Sequence, residues 1–158
     1  MELQFYKYRG ARAMILLHEM EMWRFLDVWQ TAKNSGVELP RTDDSDYATY
    51  GALLRHVMRA SRGYMTWMCK MLDLPDPKID PTPDADVIEA QADDYLKHLL
   101  DRYRRPLADI TEEHCYSPEY KSRWGTMYSI EAMLEHAVMH PIRHSFQLEE
   151  LMKEESDL

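Results

Sequence analysis

Apolar side chains recur at alternating spacings of three and four from about Leu3 to Lys33, through Ile15, Met22, Phe25, Trp29 and Ala32, with His18 on the same seam. That is the period of one helical face. The string "NSGVELP" ends it, because Asn34 and Gly36 suit a left-handed C-cap and Pro40 bars continuation. The acidic "TDDSD" offers several N-caps, and a second seam follows through Leu53, His56, Ala60, Tyr64, Trp67 and Met71. Next, "DLPDPKIDPTPD" places four prolines in twelve residues and predicts an extended connection. A third helix is expected from about Asp84 to Ile110, with Pro106 loosening or kinking its last turn. Residues 111–128 keep no period and read as a long loop. A fourth helix, capped near Thr126 or Ser129, then carries Ile130, Leu134, Ala137, Ile142, Leu148 and Leu151. The expected fold is all-α: one domain over residues 1–158, a four-helix bundle whose long connections allow a crossover.

Composition agrees, with Gly scarce at 5 and Met plentiful at 12 in 158 residues, a balance that favours helices. The 28 acidic and 19 basic residues are spread along the chain, giving a net charge of −9 and no basic stripe along the sequence. Nucleic acid is therefore not an expected partner. The longest apolar run, Ala13 to Leu17, is far short of the ~20 residues that span a bilayer, and "MELQFYKYRG" lacks the apolar core of a secretory signal. No membrane partner is expected, and the chain reads as cytoplasmic. Cys69 and Cys115 form no CxxC pair, in keeping with a reducing compartment.

Chemistry enters with the histidines. "LEHAVMHPIRHSFQLEEL" spaces His136, His140 and His144 four apart and sets Pro141 between the last two. Four residues advance an α-helix by a net 40° and ~6 Å, so His140 and His144 can close on one ion. On its own an HxxxH is more often two surface or capped side chains. His56 and His18, however, lie on inward seams of other helices, and several buried imidazoles in one core are hard to satisfy without a shared ion or water. A di-iron bundle is excluded, because no histidine has a glutamate three residues before it. "HEMEM" at His18 fails as a zincin motif, since Met22 stands where the second histidine belongs. Haem through His56 finds no specific support, and Cys69 lies thirteen residues beyond His56, too far to share its ion. His98 reads as a helix-surface residue and Cys115 as a loop thiol.

"LLRHVMRASRGYMTWM" and "HAVMHPIRHSFQL" resemble the second-helix and last-helix motifs of the DinB/YfiT-like superfamily of metalloenzymes, and the likeness extends over nearly the whole chain. Gln147, three residues after His144, falls where the family pattern has it. Ser145 and Phe146 stand in place of the common Arg-Gly, and Pro141 in place of an often polar residue. The resemblance implies a mononuclear divalent site held by His56, His140 and His144, with His136 one turn too early. It also implies zinc or nickel as the ion, a possible low-molecular-weight thiol cofactor, and a homodimer.

Two functions are then expected in competition. One is a metal-dependent enzyme, a hydrolase or a thiol S-transferase, acting on a small-molecule substrate through an open coordination position. The other is a non-catalytic dimeric bundle in which the ion staples helices, with a fourth protein ligand such as His18. No catalytic residue is assigned. Glu135 and Glu149 read as solvated charges, Tyr64 as a core tyrosine, and Arg143, which could bind an anionic substrate, rather as a salt-bridge partner. Pro141, at ~3 kcal/mol inside a helix, is expected to bend the last helix so that its histidine pair meets His56 across the core.

Overall fold

The computed structural model describes residues 5–156, so Leu3 lies outside the described residues. Helix α1 (Arg9–Ser35) buries Ala11, Ile15, His18, Met22, Phe25, Leu26, Trp29 and Ala32, the expected seam. Gly36 ends it at φ +83°, with its amide on the Lys33 carbonyl. Helix α2 (Tyr50–Met71) starts earlier than its apolar period, because the Thr49 side chain accepts the Ala52 amide and caps it. The proline-rich connection forms no regular element; the Lys78 amide bonds to Asp76 Oδ1 at 2.6 Å within it, and neighbouring side chains hold the rest. Arg55 donates to the Pro83 carbonyl at 3.1 Å, Arg62 to Ile79 at 3.0 Å and Tyr95 to Asp80 at 3.0 Å.

Helix α3 is shorter than expected, Ile88–Tyr103. Pro106 disfavours helical backbone at Arg105, so the helix closes before it rather than kinking, and buried Leu107, Ala108 and Ile110 follow in turns. Residues 111–128 are not the long loop expected. A short helix α4 (Glu112–Tyr116) precedes an antiparallel hairpin of β1 (Tyr120–Lys121) and β2 (Met127–Tyr128), with register Tyr120 to Tyr128. Cys115 is therefore no loop thiol. It is fully buried in α4, and burial pushes it up to about 12.

Helix α5 (Ile130–Ser156) continues through buried Pro141 as one element. The Ser129 hydroxyl accepts the Ala132 amide at 3.1 Å, deciding its start between the two expected caps. α1 packs against α5, α2 and α3, and α2 packs against α5 and α3, so the long helices close on one core containing Phe25, Met58, Met68, Leu99, Tyr103 and Leu134. No helix among the described residues is long and apolar enough to cross a membrane.

Candidate metal centre

Two successive side-chain caps organise the approach to α2. Asp44 accepts the Asp46 amide at 3.0 Å and holds a 3-10 turn over Ser45–Tyr47, and Thr49 then starts the helix. The turn lays Asp46 and Tyr47 against His56, two helical turns into α2. His140 and His144 approach from α5 with their side chains buried.

The three imidazoles converge, each offering a nitrogen within 4.8 Å of the other two. His56 Nε2 lies 3.1 Å from His140 Nε2, close to the ~3.3 Å separating two nitrogens bound tetrahedrally at 2.0 to 2.1 Å from one ion. The outer nitrogens explain the convergence. His56 Nδ1 donates to Asp46 Oδ2 at 3.2 Å, and Arg59 Nη2 holds the same oxygen at 2.7 Å. His144 Nδ1 donates to Gln147 Oε1 at 2.9 Å. Each acceptor favours the tautomer with the proton on Nδ1, which leaves Nε2 of both rings as a lone-pair acceptor. A lone pair on such a nitrogen can accept a proton from a neighbour or bind a cation, and three nitrogens within 4.8 Å of one another could hold one ion together.

Burial, reinforced by the neighbouring imidazoles, drags His140 down to about 2, and burial with His56 beside it takes His144 to about 4. Both rings are neutral at pH 7, so protons do not occupy the nitrogens they could offer to an ion.

No family model, curated protein or solved structure matches the chain. Three imidazoles could hold a metal ion, and imidazole suits zinc, copper, iron and nickel alike.

Other expected participants lie elsewhere. His18 Nε2 is 2.9 Å from Ser61 Oγ, and its ring stacks on Tyr103 with centroids 4.3 Å apart. It is not in the metal group. His136 packs among Tyr64, Trp124 and Tyr128 at 5.2, 5.3 and 5.6 Å, outside the three-histidine group as expected. Glu149 pairs with Arg24 at 2.8 Å, Glu135 is solvent-exposed, and Tyr64 is a buried tyrosine whose ring lies 5.8 Å from His140. Arg143 departs from expectation: it forms no ion pair among the described residues.

Instead Arg143 lines a cavity of about 710 Å³ together with His144, Tyr47, Leu39, Leu53 and Leu148. Tyr47, unnoticed in the sequence, places its hydroxyl 3.3 Å from His56 Nε2. In the sequence Asp46 offers itself only as a possible cap, yet its carboxylate holds the His56 ring. Replacing Asp46 with alanine is expected to lower divalent-metal affinity by about 10- to 100-fold while leaving the helical circular dichroism intact. Competition against a chromogenic chelator measures it, and unchanged affinity would mean that His56 is oriented without the carboxylate.

Proposed function

We propose that the chain is a divalent-metal-dependent enzyme of the DinB/YfiT-like four-helix-bundle type, a hydrolase or thiol S-transferase acting on a small molecule. His56, His140 and His144 would hold zinc or nickel. The observation that carries this reading is the pair of lone pairs pinned by Asp46 and Gln147 beside a cavity wide enough for a substrate. A bound divalent ion would supply Lewis acidity, lowering the pKa of water or of a thiol so that either attacks at neutral pH. The chain's own groups do the rest. Asp46 and Gln147 keep His56 and His144 in the binding tautomer, and Leu39, Leu53 and Leu148 make an apolar wall that restricts water. The Tyr47 hydroxyl can donate to an atom at the open side, and Arg143 can neutralise an anionic group. The ring contact of Tyr47 with His144, at 5.7 Å, keeps that hydroxyl over the site.

The alternative, a dimeric bundle stapled by the ion, draws on the link between α2 and α5. It asks for a closed coordination shell, and His18, its expected fourth ligand, is engaged with Ser61. The homodimer stays part of the proposal, with exposed Leu17 and Met20 on α1 and Met139 and Phe146 on α5 as apolar contact residues.

Elemental analysis of protein purified without added metal should find about one equivalent of a divalent ion per chain. None, in protein that also fails to take up zinc or nickel, would overturn the proposal. With cobalt loaded in its place, a small thiol should add a sulfur-to-cobalt charge-transfer band if the open position is real. A spectrum indifferent to thiol, with four protein ligands, would favour the staple.

A further inference from the structure

The net charge of −9 makes one surface feature unexpected. Arg62 and Lys70 of α2 meet Lys121 and Arg123 of the hairpin around a groove of about 400 Å³ that no carboxylate lines. None of the four cations forms an ion pair among the described residues. These residues lie up to 61 positions apart, so no stretch of sequence reads as a basic stripe, and the fold assembles one.

The groove is built rather than incidental. Trp67 Nε1 donates to the Lys121 carbonyl at 3.1 Å, clasping the hairpin to α2. Gly63 sits in mid-helix, where it costs roughly 0.5 to 1 kcal/mol against alanine. A Cβ there would collide with the Arg123 guanidinium, so the glycine admits that charge against the helix. Ser122, also on the lining, is 5% exposed, and its hydroxyl has no partner. A buried hydroxyl without a bond is destabilising, which makes it a donor in need of an acceptor.

We infer that this groove is a second ligand site, distinct from the metal centre, that binds the phosphate or diphosphate group of a small soluble molecule. Arginine forks and lysine ammonium groups are the usual partners of phosphate oxygens, and the Ser122 hydroxyl, rotated toward the groove, adds a neutral donor. The two sites share no lining residue, and buried Tyr64, next in sequence to Gly63, stands on the metal side with its ring 5.8 Å from His140.

Inorganic pyrophosphate, titrated calorimetrically into the full chain at low salt, is the probe. The wild type should bind one equivalent, more weakly as salt rises. Lys70→Gln with Lys121→Gln, both exposed side chains, should weaken binding at least tenfold with metal content unchanged. Ser122→Ala should also weaken binding, yet leave the thermal midpoint equal or higher, which a purely structural serine would not do. Absence of binding by the wild type overturns the site. So does undiminished affinity in the double variant, and loss in Arg143→Gln instead would place the anion in the metal cavity.

Discussion

His144→Ala should abolish retention of the divalent ion, whereas His136→Ala should leave it at the wild-type level. Both residues are on α5 two turns apart, and both pack against aromatic rings, so helix position alone does not separate them. Their surroundings do. His144 is buried, has its Nδ1 committed to Gln147, and offers its other nitrogen to the point shared with His56 and His140. His136 is packed between Tyr64, Trp124 and Tyr128, away from that point. Removing a ligand costs more than removing the hydrogen bond that supports one, so the affinity loss should exceed the roughly 100-fold upper range for a supporting partner. Metal analysis after dialysis against a weak chelator reads the result, and circular dichroism checks that the helices survive. Full retention in the His144 variant would show that the register of the histidine pair is wrong.

Periodicity puts both His136 with His140 and His140 with His144 on a shared face, and the choice of the second pair comes from the resemblance, in which Gln147 follows three residues after the last histidine. His140 and His144 must share a face at a spacing of four, and His56 lies among inward residues of α2, so the chain itself announces an encounter across the core. Of the supporting residues, Gln147 was marked by the resemblance, whereas those beside His56 were not legible, for a physical reason. Asp46 and Tyr47 belong to a single 3-10 turn, where no period relates a residue to its target, and only the caps at Asp44 and Thr49 decide where the turn points. The hairpin escaped notice because its strands are two residues each, too short to show alternation. Pro141 shows the opposite limit. Local propensity opposes a helix there, yet Pro141 is buried within α5 and tertiary packing carries the helix through it.

His18 yields the other large effect, on stability in acid. The ring is buried against Tyr103, and burial alone takes it from the ordinary histidine range near 6.5 down to about 3. Its Nδ1 and the Tyr103 hydroxyl both lack partners, so nothing nearby compensates a positive charge on the imidazole. The folded pKa is depressed, and the sign follows. Above pH 6.5 both states are unprotonated and the stability is fully present. As pH falls through 6.5 the unfolded chain takes a proton that the folded chain refuses, and stability drops by roughly 1.4 kcal/mol per pH unit until about pH 3. Against a total of ~5 to 15 kcal/mol for a domain, this one group takes a large share. His18→Gln keeps a polar group that can bond to Ser61 Oγ but cannot titrate. Urea unfolding at pH 7, 6 and 5 should therefore show a shallower loss of stability in the variant, by about 1.4 kcal/mol for each unit below 6.5, even if the variant starts less stable. The other histidines are common to both proteins and cancel in the comparison. Identical slopes would mean that the folded protein accepts the proton after all, and that the core around His18 opens to water in acid.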